Sequence, residues 1–210
     1  MLQSLKTYTR DKVVSYLLNM ATSSSDETLI KMTHLMEMIP KKDYYKDRIR
    51  WIRNLVQQKH PSIEFPRRIL KELHPNQRDK WITNLAINHL LSGTNKRKEW
   101  ADANGFYPPS TVVISVTMRC NLSCYGCYAG DYNKSLELTL DEIDGVLTQM
   151  KEMGIYFAVI SGGEPFFKQG IFDLFEKHSD MAFLVFTHGG LIDDALVQRL
   201  IAVGNVMPAF

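Results

Sequence analysis

The three cysteines of this 210-residue chain stand within eight positions of one another. They are Cys120, Cys124 and Cys127, in the stretch MRCNLSCYGCYAG that begins at Met118. A structural zinc site takes four ligands, so three thiolates would need a fourth from His188 or another distant side chain. Three thiolates on one loop also suit three irons of a cubane cluster, whose fourth iron then stays open. A cluster, a zinc ion and three incidental cysteines are the alternatives, and the tight grouping favours a metal site.

A second polar stretch, SGGEP, begins directly after an apolar run at Ser161. Glycines such as Gly162 and Gly163 let the backbone come close to a ligand. The carboxylate of Glu164 suits an ammonium group, and Pro165 stiffens the turn and removes a competing N–H donor. A strand-to-helix turn with an acidic cap is the plainer alternative for such a stretch taken alone.

The elements that must position these residues alternate between strand and helix after residue 110, at intervals of roughly 25 residues. The helix over 139–154 has the clearest signals, with a capping box of Thr139 and Glu142 and a terminal Gly154. The alternation predicts a parallel sheet, with the polar stretches at the carboxyl ends of its strands. Strands are predicted over 111–117, 156–160, 181–186 and 205–210, and two further helices over 170–178 and 193–204.

Residues 1–107 have a different pattern, in which apolar positions recur at intervals of three and four. This periodicity predicts four to six short helices in one small domain, one of them starting with a capping box of Ser24 and Glu27. The last helix is predicted from Pro75 to Gly93, and residues 104–110 form the predicted linker. Prolines are expected at helix boundaries at Pro40, Pro61, Pro66 and Pro75.

The order and spacing of these motifs resemble the radical S-adenosylmethionine (radical SAM) superfamily. The resemblance is to the branch of molybdenum-cofactor, nitrogenase-cofactor and peptide-modifying enzymes. It covers about residues 111–210 and rests on CNLSCYGC after one strand and SGGEP after the next. It implies an α/β fold for this part of the chain: a partial (β/α)6 barrel with parallel strands, in a core over 108–210. The small all-helical domain predicted over 1–107 precedes this core and lies outside the resemblance. The family barrel has six strands and the sequence predicts four, so we expect a C-terminally truncated member.

The resemblance also implies cofactors and their ligands. The three cysteines would bind a 4Fe-4S cluster, and S-adenosylmethionine would chelate its open iron. One electron would then release a 5′-deoxyadenosyl radical, which abstracts hydrogen from a substrate that the sequence does not identify. The residues that match the motif for the amino group of S-adenosylmethionine are Gly162, Gly163, Glu164 and Pro165.

Two details depart from the family pattern. The stretch FTHGG resembles a TNG seen at the third strand of many members, with His188 in place of asparagine between Thr187 and Gly189. His188 is expected to contact ligand, substrate or only the backbone. The family often has an aromatic residue before the third cysteine, near the adenine. Here Gly126 stands there, and adenine packing is expected to use that backbone or one of the flanking tyrosines, Tyr125 and Tyr128.

Charge is divided unevenly along the chain, whose net charge is +2. Residues 1–107 hold 19 Lys and Arg against 11 Asp and Glu, and residues 108–210 hold 6 against 12. A basic unit that packs on an acidic one explains this division, and a basic unit that holds RNA is the alternative. The basic residues alternate with acids and form no block of like charge, so nucleic-acid binding is not expected.

The remaining expectations concern location and partners. No apolar run reaches about 18 residues and the N-terminus lacks signal-peptide features, so we expect a cytoplasmic protein without a membrane anchor. An open cluster predicts oxygen sensitivity, and the resemblance implies flavodoxin or ferredoxin as electron donor. The alternative function is a non-catalytic iron–sulfur or zinc-binding module. Histidines without ligand spacing are expected at the surface or at helix ends: His34, His60, His74, His89 and His178.

Overall fold

The computed structural model describes residues 24–38, 43–130, 132–135 and 137–210. The chain divides into two compact units, residues 1–74 and 75–210. The predicted boundary between a helical domain over 1–107 and a core over 108–210 stays a prediction. In the structure, the unit that holds the sheet already begins at Pro75.

The first unit contains helices α1 (Asp26–Glu37), α2 (Asp43–Gln57) and α3 (Pro61–Glu72). Its first cap is Ser25 and not the predicted Ser24, since Ser25 has the extended backbone of a cap and accepts from the amide of Thr28 at 3.3 Å. Pro66 lies inside α3 and not at a boundary, because the helix continues through it with one backbone hydrogen bond fewer. Pro61 and Pro75 begin helices as predicted, and Pro40 lies outside the described residues.

A long helical run opens the second unit. It consists of α4 (Pro75–Trp81), a π-helical stretch (Ile82–Gly93) and α5 (Thr94–Asn104). The end predicted at Gly93 is wrong. Gly93 has helical dihedrals and lies against Gly154, where a Cβ on Gly93 would collide with the carbonyl oxygen. The run ends instead at Gly105, which adopts the left-handed conformation of a helix C-cap.

The sheet has four parallel strands in the order β1-β2-β3-β4. In register, Ile114 pairs with Ile160, Val159 with Leu184, and Leu184 with Met207. The fold-class prediction, a parallel α/β sheet preceded by helices, is confirmed. The elements are β1 (Val112–Thr117), α6 (Leu140–Glu152), β2 (Phe157–Gly162), α7 (Ile171–Lys177), β3 (Ala182–Phe186), α8 (Asp194–Val203) and β4 (Val206–Ala209).

The core lies between one face of this sheet and helices α6 to α8. Side chains on β1 alternate, so that Ile114 and Val116 are buried while Val113 is exposed. The predicted capping box of α6 is confirmed, with Thr139 and Glu142 bonded to each other's backbone amides. This packing fixes the strand ends from which the polar loops emerge. Large core side chains include Leu147, Met150, Phe172, Phe175, Phe183 and Leu200.

Residues 75–104, here called the capping segment, bond to the loops at the amino ends of the strands. Asn84 is 1% exposed and donates to the carbonyl oxygens of Ser179 and Met181, at 3.0 and 2.7 Å. Similar bonds reach the ends of α6 and α8, so the segment binds the last turns of these two helices and the loop that follows α7. The other donors are Asn76 to Ile201 and Ala202, Lys80 to Ser179, Asn88 to Asp180, Lys96 to Lys151 and Arg97 to Gly154.

Two histidines are buried: His89, against expectation, and His178, which stands at a helix end as predicted, since it is the C-cap of α7. His89, in the π-helical stretch, is 4% exposed and packs edge-on to Phe157, with ring centroids 6.0 Å apart. His178 is 2% exposed and bonds to Asp144 at 2.8 Å. Burial is possible because an aromatic neighbour or a carboxylate accompanies each imidazole. No helix among the described residues has the length and apolar character needed to span a bilayer.

Candidate functional site

Three loops meet at the carboxyl ends of β1, β2 and β3. We call them the cysteine loop (residues 118–138), the GGEP turn (residues 162–165) and the THG turn (residues 187–189). Each follows its strand directly, because parallel strands bring all of their carboxyl ends to one edge of the sheet. The structure therefore brings together the three sequence stretches that were predicted to act together.

The three cysteines line one cavity of about 150 Å³ at the cysteine loop. All are free thiols; Cys120 is half-buried, whereas Cys124 and Cys127 are exposed. Two turns shape the loop around them, since the amide of Cys127 donates to the carbonyl of Cys124 and that of Gly130 to the carbonyl of Cys127. The amide of Leu122 donates to Cys120 Sγ at 3.4 Å, a contact that stabilises a thiolate.

This donor set fits an iron–sulfur cluster. Thiolates are the usual ligands of such clusters, and each takes a different iron, so three of them suit a group with several metal atoms. Within the described parts of the chain, no three carboxylate, imidazole or thiol groups come close enough to share a single metal ion. The cavity is lined by the thiols together with other residues of the same loop, which are Met118, Leu122, Ser123, Ala129, Gly130 and Lys134.

The GGEP turn is pressed against the start of the cysteine loop. The amide of Gly163 donates to the carbonyl of Thr117 at 2.7 Å, and that of Glu164 to the carbonyl of Arg119 at 2.9 Å. Gly162 has φ 138°, and a Cβ on Gly162 or Gly163 would collide with these same backbone carbonyls. The glycines thus allow two strand ends to approach each other. Pro165 begins a short 3-10 turn (Pro165–Phe167).

Glu164 is fully buried and binds the THG turn. Thr187 Oγ1 lies 2.9 and 2.8 Å from the two carboxylate oxygens, and the amide of His188 donates at 3.1 Å. The amide of Phe166 donates to the first oxygen at 3.0 Å. Both oxygens therefore accept from protein donors, which satisfies a buried charge that would otherwise be costly.

His188 connects all three loops. Its Nε2 lies 2.9 Å from Asn121 Oδ1 in the cysteine loop and 3.2 Å from Glu164 Oε2. Its Nδ1 accepts from the amide of Gly190 at 2.9 Å. Because Nδ1 accepts, the neutral imidazole carries its proton on Nε2, where it can donate to the amide or carboxylate oxygen. The contacts of His188 in the structure are thus with the backbone of Gly190 and with the side chains of Asn121 and Glu164. The next residue, Gly189, lies against the ring of Phe210.

Tyr128, which directly follows the third cysteine, contacts the GGEP turn. Its hydroxyl donates to the carbonyl of Gly162 at 3.0 Å and lies 3.0 Å from Ser161 Oγ. The side chain of Tyr125 is fully exposed, and Gly126 stands in open space with φ 72°. The sequence signal for Tyr128 was its position directly after Cys127.

Glu137 was missed by the sequence analysis. Thr117 Oγ1 donates to its Oε2, and Lys168 Nζ and Arg119 lie 3.5 and 3.9 Å from its Oε1. The hydrogen bond from Thr117 and the two nearby positive charges lower the pKa of Glu137 below its usual value. No local pattern marks this residue, because its partners are distant along the chain.

Comparison with known proteins agrees with this geometry. Residues 114–210 match the family model of the Radical SAM superfamily. A Fe-coproporphyrin III synthase of Methanosarcina barkeri is 32% identical over 97 residues, which cover 44% of this chain and 24% of that protein. A probable GTP 3′,8-cyclase of Methanothermobacter marburgensis is 31% identical over 94 residues, covering 43% of this chain and 31% of that protein.

The chain thus spans about a quarter to a third of the length of these curated relatives. Among solved structures, Streptococcus suis SuiB bound to S-adenosylmethionine is similar with a TM-score of 0.46 and 18% identity. That alignment covers 76% of this chain and 36% of SuiB. The family match begins in β1 and includes the cysteine loop, the GGEP turn and the THG turn, so this part of the chain is similar to the radical SAM superfamily.

Proposed function

We propose that residues 108–210 form the part of a radical SAM enzyme that binds the cluster and S-adenosylmethionine. The observation that carries the proposal is the bonding between the three loops. Tyr128 connects the cysteine loop to the GGEP turn, and His188 connects the same loop to Glu164. Three free thiols are in this way held beside the turn whose sequence suits the amino group of S-adenosylmethionine.

Cys120, Cys124 and Cys127 would hold a 4Fe-4S cluster at the cavity that they line. When bound, this cluster would supply the electron that cleaves S-adenosylmethionine to a 5′-deoxyadenosyl radical, which abstracts hydrogen from the substrate. The chain's own contribution is to fix the thiolates with two backbone turns and with the amide directed at Cys120 Sγ. Fixed ligands keep the cluster in one position relative to the GGEP turn.

The GGEP turn would hold the amino group of S-adenosylmethionine through its backbone at Gly162 and Gly163. Both oxygens of Glu164 already accept hydrogen bonds from the protein, so its carboxylate would attract the ammonium by charge from behind the turn. Glu164 would also keep Thr187, His188 and Gly189 in place, and Pro165 would stiffen the turn. Near the adenine we propose the backbone at Gly126 and the ring of Tyr125.

The relatives support a proposal for the reaction class. They include a Fe-coproporphyrin III synthase and GTP 3′,8-cyclases, so we propose that hydrogen abstraction here modifies a cofactor precursor. A flavodoxin or ferredoxin would be the electron donor, in the cytoplasm, and air would destroy the open cluster. The first unit is not part of this site in the proposal.

Electron paramagnetic resonance on anaerobically reconstituted, dithionite-reduced protein tests the proposal. The full chain is compared with Cys124→Ala, each with and without S-adenosylmethionine. We expect a reduced-cluster signal in the full chain that changes when S-adenosylmethionine is added, and no such change in the variant. A cluster whose spectrum ignores S-adenosylmethionine would support the non-catalytic module instead. Zinc uptake without cluster formation would overturn the assignment of the thiols.

A further inference from the structure

The cysteine loop is closed at its base by one pair of side chains. Thr117 is the last residue of β1 and is 1% exposed, and Glu137 stands just before α6, where the loop ends. The hydroxyl of Thr117 donates to Glu137 Oε2 and accepts from the amide of Arg119 at 3.1 Å. The two residues that flank the loop are therefore bonded directly to each other.

The second oxygen of Glu137 reaches the segment after the GGEP turn. Lys168 Nζ lies 3.5 Å from Oε1, and the lysine side chain is only 6% exposed. A buried ammonium needs a nearby negative charge; among the described residues Glu137 pairs with it directly, and the charge of Glu142 also acts on it. Arg119 adds a weaker contact at 3.9 Å and stacks over the ring of Phe167 at 5.0 Å. One carboxylate thus connects β1, the cysteine loop and the residues after Pro165.

The loop needs such a connection because little else orders it. Its described residues contain turns but no helix or strand, and most of their side chains are exposed. Ordering a long loop costs conformational entropy, which few buried contacts offset here. A hydrogen bond to a charged acceptor at the base restrains both ends of the loop at once.

We propose that Glu137 is a positioning residue for the cysteine loop: it holds the loop's base against the GGEP turn and thereby sets where the three thiols stand. The contacts of Glu137 are the evidence that it holds the loop. The effect on cluster binding rests on the proposed function. It predicts that the cysteine loop loses order when Glu137 is replaced, even in the metal-free chain.

Amide hydrogen exchange on the metal-free full chain tests whether Glu137 orders the cysteine loop. In Glu137→Gln the acceptor loses its charge, and we expect about tenfold faster exchange across residues 118–135 and at the amides of Gly163 and Glu164. Asp144→Asn is the matched control: Asp144 is similarly exposed and contacts Lys177 and His178 away from the loop. The proposal fails if Glu137→Gln exchanges like the full chain or only like the control.

Iron uptake tests whether the order of the cysteine loop affects cluster binding. Thr117→Val removes the hydroxyl and Thr117→Ser keeps it, so we expect iron per chain and the S-adenosylmethionine response to fall in the first and to be retained in the second. Normal values in both Thr117→Val and Glu137→Gln would overturn the positioning role. A full chain that takes up no iron would overturn the proposed function. The exchange comparison would still decide whether Glu137 holds the loop.

Discussion

At the amino ends of the strands, side chains of the capping segment donate to backbone carbonyls at helix ends and in the loops that follow. At the carboxyl ends, an exposed loop is held by a few side-chain bonds. Asn84 is 1% exposed and its two acceptors are backbone oxygens, whereas Cys124 and Cys127 are exposed thiols on a loop without regular structure. The first end resembles a protein core and the second a binding surface. We infer that stability depends mainly on the first end and cluster binding mainly on the second.

The largest effect is expected from the cysteines. Replacing Cys120, Cys124 or Cys127 singly by alanine should abolish binding of an oxygen-labile cluster, because each thiolate holds its own iron. The melting temperature of the metal-free chain should stay unchanged, since two of the three side chains are exposed. Iron and sulfide analysis after reconstitution, with thermal unfolding of the metal-free chain, measures both. Full iron content in any of the three variants would contradict the assignment.

The amino-end contacts predict the reverse pattern. Asn84→Leu leaves the carbonyl of Met181 without its side-chain donor and that of Ser179 with only the 3.4 Å bond from Lys80, and it should reduce the free energy of unfolding by about 2 kcal/mol. Iron per folded chain should stay at the level of the unmodified protein. Asn88→Ala, which removes a bond to Asp180 from a less buried side chain, is the control and should cost less. Denaturant unfolding of the metal-free chain measures the difference, and equal stability of all three proteins would refute this division of roles.

A pH dependence should also originate at the amino end. Burial lowers the pKa of His89 from 6.5 to about 4, and the nearby charge of Arg97 adds to this effect. In the unfolded chain His89 therefore binds a proton near pH 6.5, whereas in the folded chain it binds one only near pH 4. The free energy of unfolding thus falls as the pH decreases from about 6.5 to about 4. We expect a loss on the order of 2 kcal/mol from this residue between pH 7 and pH 4.5.

The variant His89→Phe removes the titrating group and keeps a ring against Phe157. Its stability should decrease less between pH 7 and pH 4.5 than that of the unmodified chain, as measured by urea unfolding of the metal-free protein. His34→Gln, at an exposed position of α1, should leave the pH profile as it is. Parallel profiles for all three proteins would show that His89 does not cause the dependence.

The sequence predicted the elements better than the contacts between them. The capping box at Thr139 and Glu142 is local, and so is the spacing of the three cysteines, which is why both could be read from neighbouring residues. The contact of Asn84 with Met181 spans 97 positions, and that of Tyr128 with Gly162 spans 34. Such contacts depend on packing, and the residue types involved carry no periodic signal.

The histidines and the capping segment illustrate the same limit. His89 has no distinctive neighbours in sequence, and its burial results from packing of the π-helical stretch on β2. Gly93 resembles a helix stop, but its small size serves the approach to Gly154, and the helix continues. The roles of Gly162, Gly163 and Glu164 toward S-adenosylmethionine stay predictions, although their backbone geometry explains why glycines stand there.

The smallest overall effect is expected from Tyr128→Phe, which tests the division between the two ends of the sheet. The change removes one hydroxyl whose bond to the carbonyl of Gly162 connects the third cysteine to the GGEP turn, and it keeps the ring. We expect a loss of about 1 kcal/mol or less, because the side chain is largely exposed and water replaces the hydroxyl. Iron content should be retained. The concentration of S-adenosylmethionine that half-saturates the spectral change should rise, since the turn proposed to receive the amino group is less well held. If stability falls by as much as in Asn84→Leu while this concentration is constant, the carboxyl end also supports the fold and the proposed division is wrong.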